Sequence, residues 1–231
     1  MDAPIAVSAF VLAGGESSRM GRDKALLVLP TGETLLARAL RLAKTVAVTV
    51  KVVTPNKDYS EIAGVPVVED VYKGCGPLAG IHAALSASAT ELNLVLGVDC
   101  PLVTPELLRF LVRIAAGTDK LATVPRVAGY LHNVCAVYRK EFATIAEKIL
   151  AGSAAISAPT RATTAYVGDA GDAGSGGSGK RRGTRVDCLF TEAPIRVVEE
   201  DELRRAGFGA ELFANVNTPV EFAALSLKLQ R

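Results

Sequence analysis

The sequence predicts an α/β fold in three layers, with a mostly parallel central sheet covered by helices on both faces. Three observations carry that prediction. Apolar, β-branched runs alternate with helical patterns over most of the chain. The runs are nearly continuous in apolar residues, as strands buried on both faces must be, rather than alternating with polar ones. At 231 residues and 49% hydrophobic content, the chain is also long enough to enclose a substantial core. It reads as one domain over residues 1–231, interrupted by one insertion.

Taken in order, Ala6–Leu12 reads as a buried strand. Thr34–Lys44 reads as a helix, with Thr34 placed to cap it and Leu35, Leu36, Ala39, Leu40 and Ala43 on one face. Ala47–Val53 is the second strand, Asp58–Ala63 a short helix and Val65–Val68 the third strand. Leu78–Ser88 has a helical pattern, and Leu92–Val98 is the fourth buried strand. A helix over Pro105–Ala116, strands over Leu121–Val124 and Val134–Tyr138, and a helix over Lys140–Leu150 follow. Gly168–Arg185 breaks the rhythm, since GDAGDAGSGGSGKRRGTR is nearly devoid of apolar residues; it reads as a flexible insertion. Its Lys180, Arg181, Arg182 and Arg185 are expected to form a solvated cationic loop. Glu199–Arg205 and Thr218–Leu229 read as the last two helices.

Composition narrows the function classes. A net charge of +2 gives no global field for nucleic acid or an anionic membrane. Aromatics at 5% and the absence of Trp weaken any base-stacking reading. No apolar run approaches the roughly 18 residues of a membrane span, and the N-terminus lacks the basic start of a signal peptide. The four cysteines, Cys75, Cys100, Cys135 and Cys188, are scattered without a CxxC pair, which suits a reducing compartment better than a disulfide frame or zinc site. A cytoplasmic location is expected.

In such a sheet, ligands bind beyond the carboxyl ends of the strands. The first, third and fourth predicted strands run out at Gly14, Asp70 and Asp99, so three polar or glycine features converge on one edge. The segment VLAGGESSRMGRDKAL, Val11–Leu26, opens from the first strand onto a loop carrying Gly14, Gly15 and Gly21 with the cations Arg19 and Lys24. Glycines let backbone N–H groups approach an anion, and the cations offset its charge. That is chemistry for holding a polyphosphate, although the spacing is neither GxxxxGK[ST] nor GxGxxG.

Asp99, at the tip of a central strand and followed by Cys100-Pro101, is placed to ligate a divalent ion such as Mg²⁺, which takes hard oxygen ligands. Asp70 reads equally as a turn aspartate or as an acceptor for a ribose hydroxyl or the N–H groups of a guanine. Gly74-Cys75-Gly76-Pro77-Leu78-Ala79-Gly80 permits close approach to a flat ligand or to a second phosphate. In Asn215-Val216-Asn217-Thr218-Pro219, Thr218 is the expected helix cap, leaving the asparagines free; an Asn217 amide oxygen can complete a metal shell. His82 reads as structural, and His132 lies in a loop where a polar contact is conceivable. The Cys100 side chain is expected to point away from the metal. No Ser/His/Asp or Cys/His arrangement stands out, and nucleotidyl transfer needs no enzyme nucleophile: positioning and charge neutralisation suffice.

LAGGESSRMGRDKAL, VVED at 67–70, GPLAG at 76–80, VDCP at 98–101 and NVNTPVEF at 215–222 together resemble the molybdenum cofactor guanylyltransferase family. Its members are nucleotidyltransferases of Rossmann-like fold. The resemblance implies that Leu12, Ala13, Gly14 and Gly15 line a guanine nucleotide pocket, with Arg19 and Lys24 on the phosphates. It further implies Asp70 and Thr54 on the nucleoside, Asp99 on Mg²⁺ and nucleotide, and Gly80, Asn215 and Asn217 toward the pterin substrate, Asn217 also near the metal. The implied reaction joins GTP and Mo-molybdopterin into the guanine dinucleotide cofactor, releasing pyrophosphate, with molybdoenzyme-maturation proteins as possible partners and neither nucleic acid nor membrane. Thr54-Pro55-Asn56 stands where some members carry Asn. Cytidylyl transfer, guanylyl transfer to another phosphate, and a non-catalytic nucleotide-binding chaperone are the alternatives.

Overall fold

The computed structural model describes residues 5–14, 23–55, 59, 63–72, 75–157 and 193–228, the last six of the 75–157 stretch by backbone alone. Eight strands form one sheet: β1 (Val7–Leu12), β2 (Thr49–Thr54), β3 (Val67–Glu69), β4 (Leu92–Gly97), β5 (Ala122–Val127), β6 (Tyr130–Leu131), β7 (Cys135–Arg139) and β8 (Ile195–Glu199). The helices are α1 (Leu35–Lys44), α2 (Pro77–Ser86), α3 (Pro105–Ala116), α4 (Phe142–Ser157), α5 (Glu200–Arg205) and α6 (Pro219–Lys228). The strand order is β3-β2-β1-β4-β7-β5-β6, with β8 also paired to β5. β3, β2, β1 and β4 are mutually parallel; β7 runs antiparallel between β4 and β5.

Side-chain alternation along the two central strands divides the core into two. Val7, Ala9 and Val11 of β1 and Leu92, Leu94 and Leu96 of β4 face one side, where they meet α1 and α3. Phe10, Leu12 and Val95 face the other, against α2 and α4. Both strands are buried at every position, which is why their sequences read as nearly continuous apolar runs, broken only by the buried Ser8 and Asn93. Burying a side chain such as Leu94 contributes about 1.5–3 kcal/mol.

Helix starts follow local chemistry. The Thr34 hydroxyl accepts the Ala37 N–H at 3.1 Å, and Thr104 accepts from Leu107 at 3.3 Å with Pro105 in the first turn. Because Thr104 caps α3, Asp99 is spared that task. Among the described residues, no helix is long and apolar enough to cross a membrane.

Four elements differ from expectation, the first being α4, which runs on to Ser157 where the expected helix stops at Leu150. β5 continues past Val124 through Pro125 to Val127, because Pro125 keeps its carbonyl, which accepts the His132 N–H at 2.9 Å. β5 and β6 form a hairpin through Ala128 and Gly129, both at positive φ (49° and 79°). β8 precedes the expected helix at 200–205 and pairs in parallel with β5 from Ala122↔Ile195 to Arg126↔Glu199. A five-residue strand with only one fully buried position carries too little pattern to be recognised without its partner. Most of the expected helix at 58–63 and the whole of Gly168–Arg185 lie outside the described residues, as does Cys188.

Candidate active site

The chain crosses from β1 to the single turn Lys24–Leu26 at the carboxyl edge of the sheet. Asp23 caps that turn, its carboxylate accepting the Ala25 N–H at 3.0 Å and the Tyr59 hydroxyl. Burial against Asp23 pushes the Tyr59 phenol well above its usual range, so it stays a donor. Lys24 is thereby aimed at the end of β4. Its Nζ stands 3.3 Å from Asp99 Oδ2 and donates to Asn217 Oδ1 at 2.9 Å, joining residues 193 apart in sequence.

Asp99 is fixed from several sides. The Val98 N–H donates to the Leu12 carbonyl at 3.2 Å, and the Asp99 carbonyl accepts the Val216 N–H at 3.0 Å. Gly97 is buried beneath it, where a Cβ would collide with Asp99 Oδ1. Arg38 of α1 donates to the Pro101 carbonyl and is itself held by Glu33 at 3.0 Å, tying the turn after β4 to the first helix. Asn217 is fixed by a capping box. The Thr218 hydroxyl accepts the Glu221 N–H, while Glu221 Oε2 accepts the Asn217 and Thr218 N–H groups at 2.6 and 2.9 Å. Those N–H groups, with Lys24 and Thr218, hold the Glu221 carboxyl below the usual range.

The other expected residues divide. Asp70 follows β3 at the same edge; its Oδ1 accepts the Tyr72 N–H at 2.9 Å. Burial raises its pKa, partly offset by that N–H and by His82, whose ring meets Tyr72 edge-on at 5.3 Å. Leu12 is nearly buried and Ala13 half-buried, while Gly14 is exposed beside Pro55, whose Cδ a Cβ there would approach to 2.8 Å. Thr54, the last residue of β2, is 2% exposed. Gly80 is likewise buried, and a Cβ there would meet Leu12 at 3.4 Å, an ordinary contact distance. Arg19 and Gly15 lie outside the described residues.

Two expectations are corrected. The Cys100 thiol is not turned away from the site; it donates to Asn215 Oδ1 at 3.1 Å and lies 3.7 Å from Asp99 Oδ1. Complete burial, then Asp99 and Cys135, raise its pKa far above the ordinary thiol, so it stays protonated as a donor. Nor are the asparagines free, since both amide oxygens are engaged. Sequence reasoning also passed over Gly97, Glu221 and the place of His132. The His132 ring packs on Phe213 at 4.8 Å; burial lowers its pKa and the Asp99 charge partly restores it. Only the T-x-x-E pattern at 218–221 was readable beforehand.

Among the described residues, no three His, Cys, Asp or Glu side chains cluster as a metal site. What Asp99 and Asn217 offer instead is a pair of hard oxygen donors that share one cation, the Lys24 ammonium. That donor set fits Mg²⁺, which uses few protein ligands and completes its shell with phosphates and water.

The carboxyl edge of a parallel sheet is where such folds bind their ligands, and comparison with known proteins gives the arrangement a family. Residues 9–163 match the MobA-like NTP transferase domain. The chain belongs to that family. It is therefore a nucleotidyltransferase by fold and domain. Relatives include probable molybdenum cofactor guanylyltransferases from Pelotomaculum thermopropionicum, 38% identical over 56% of this chain and 62% of that protein, and from Mycobacterium bovis, 36% identical over 70% and 82%. The chain thus spans less than two thirds of the first relative and more than two thirds of the second. Among solved structures, the molybdopterin-guanine dinucleotide biosynthesis protein A of Archaeoglobus fulgidus superposes with a TM-score of 0.73 over 96% of this chain and 98% of that one, at 21% identity. A 4-diphosphocytidyl-2C-methyl-D-erythritol synthase from Anaerococcus prevotii gives 0.62 over 99% and 97%, at 15% identity. At those identities the structural likeness speaks for the fold, the Rossmann-like nucleotidyltransferase architecture expected from the sequence.

Proposed function

We propose that the protein transfers GMP from GTP to the phosphate of Mo-molybdopterin, yielding the guanine dinucleotide cofactor and pyrophosphate. The observation that carries this reading is the convergence of Lys24, Asp99 and Asn217 at the carboxyl edge of the sheet. The relatives named molybdenum cofactor guanylyltransferase supply the acceptor and the base.

In the proposed reaction an acceptor phosphate oxygen attacks the α-phosphorus of GTP in line, forming a new P–O bond as the bond to pyrophosphate breaks. No covalent enzyme intermediate is needed. The chain's work is to bind the reactants, align them and offset charge. Lys24 supplies a fixed positive charge to the triphosphate, joined in this proposal by Arg19. Gly14 and Gly15 bring backbone N–H groups to it, and Leu12 and Ala13 form the floor. Asp70, with one oxygen held by Tyr72, keeps the other for the N–H donors of guanine. With their amide oxygens held by Cys100 and Lys24, Asn215 and Asn217 have NH₂ groups that would serve as donors to the acceptor phosphate. Asp99 and Asn217 would hold Mg²⁺, which when bound neutralises phosphate charge.

The test is to combine the protein with Mg²⁺, molybdate-loaded molybdopterin and either GTP or CTP, and to identify the product by mass spectrometry. A guanine dinucleotide that disappears in Asp99→Ala supports the reading. A cytosine dinucleotide overturns the choice of base, and GTP binding without product on this acceptor overturns the choice of acceptor.

A further inference from the structure

Lys24 does more in this structure than wait for a phosphate. Its ammonium lies between the two oxygen donors proposed for the metal, 3.3 Å from Asp99 Oδ2 and 2.9 Å from Asn217 Oδ1. The pair is sheltered, with the Lys24 and Asp99 side chains 15% and 24% exposed, so water screens the interaction only in part. We infer that Lys24 is a resident cation that blocks the metal position until nucleotide phosphates draw it away, so that the divalent ion enters with or after the nucleotide and never before it. This inference rests on the proposed metal site.

The charge balance carries the argument. Within the clasp the Asp99 carboxylate is already paired with the Lys24 ammonium. Among the described residues, no further His, Cys, Asp or Glu joins Asp99 to make a cluster for a dication. Glu221 feels Lys24 and keeps its charge, but its Oε2 is held by the Asn217 and Thr218 N–H groups rather than turned to the metal position. His132 lies within the field of Asp99 and brings no negative charge. A divalent ion approaching the free protein therefore meets an ammonium at contact distance of its main ligand, with its charge opposing entry. A triphosphate reverses both terms: it offers Lys24 stronger anionic partners and adds phosphate oxygens to the metal shell. The same lysine thus holds Asp99 and Asn217 in register beforehand and couples their release to the arrival of nucleotide.

The probe is Mn²⁺, followed through the loss of its free-ion paramagnetic resonance signal, with no acceptor present so that nothing turns over. Free wild-type protein is expected to bind Mn²⁺ weakly at this site, and GTP to create an Asp99-dependent tight site. Lys24→Gln, without nucleotide, is expected to bind Mn²⁺ at least about tenfold more tightly than wild type, the scale of removing a neighbouring like charge. The gain should vanish in Lys24→Gln/Asp99→Asn, and Lys24→Arg, which keeps the cation, should remain weak. Lys24→Met serves as a second neutral variant should the glutamine protein fold poorly. Equal affinity of the free neutral variants and wild type overturns the inference while leaving the metal site standing. If wild type with GTP binds Mn²⁺ no better than Asp99→Asn with GTP, the proposed metal site falls, and the inference with it.

Discussion

At the scale of single residues, the site depends on atoms that never touch a ligand. Gly97 is the sharpest case: a Cβ there would strike Asp99 Oδ1 and stand 3.1 Å from Val134 Cγ2. Gly97→Ala is therefore expected to displace the Asp99 carboxylate and lower kcat by about 10²–10³, the usual scale for a misplaced electrostatic group, in steady-state assays of pyrophosphate release. Unchanged turnover would show that Asp99 can move without penalty. Asp70 gives a second test. Burial raises its pKa, so it takes up a proton at a higher pH than an ordinary aspartate. A neutral carboxyl is a poorer acceptor for guanine N–H groups, so GTP affinity should fall as pH drops through that raised pKa. Isothermal titration should show this loss in wild type and a flat acid limb in Asp70→Asn. For stability the sign is opposite: a raised carboxyl pKa favours the fold at low pH, and that share is lost as pH rises through the folded pKa.

At the scale of elements, geometry explains what the sequence disclosed and what it withheld. Lys24, Asp99 and Asn217 were legible because each sits where a regular element ends, at a turn, a strand tip and a helix entry, and such places are visible in local pattern. Helix α3 was legible to the residue, Pro105–Ala116 in sequence and structure alike. The β5–β6 hairpin was not, since its turn uses Ala128 where Asn is usual and its second strand has two residues. Ala128 at φ 49° carries the strain of a left-handed alanine. Ala128→Asn is expected to raise stability by about 0.5–1 kcal/mol, seen as a higher midpoint in urea unfolding with unchanged slope. The Arg41–Glu33–Arg38 link, which anchors the turn after β4, makes the opposite pH statement. Arg41 first, then Arg38, lower the Glu33 pKa against the cost of burial. Its stabilisation is present above the ordinary glutamate pKa and fades as pH falls through the lowered one. Because Arg41 is largely exposed, the link is worth only about 0.5–1 kcal/mol. Glu33→Gln should lose that amount near pH 7 and match wild type in strong acid, as read from urea midpoints.

At the scale of the whole molecule, the parallel half of the sheet was readable because β1 and β4 are buried on both faces and write that burial into every residue. The other half was readable only in part: β5 and β7 read as strands, but their antiparallel pairing and the whole of β8 did not. β7 and β8 owe their positions to pairing with strands far away in sequence, and the burial of Thr54, Gly80 and Cys100 depends on neighbours that no local pattern names. The clasp is likewise a long-range product. Lys24 follows β1, Asp99 follows β4, and Asn217 belongs to the segment docked through Val216 on the Asp99 carbonyl. Ligand binding at such a junction must stabilise the fold as a whole, because the ligand binds only when all three segments are in place. By mass action, GTP with Mg²⁺ at a hundred times its Kd should add about 2.7 kcal/mol, raising Tm by about 5–10 °C for a chain of this size. At matched fractional saturation Asp99→Asn should show the same rise. At fixed ligand concentration its rise should shrink, and with it the share of the rise that depends on Mg²⁺. A metal-dependent rise that persists undiminished in Asp99→Asn would place the divalent ion on the nucleotide alone, with no ligand from the end of β4.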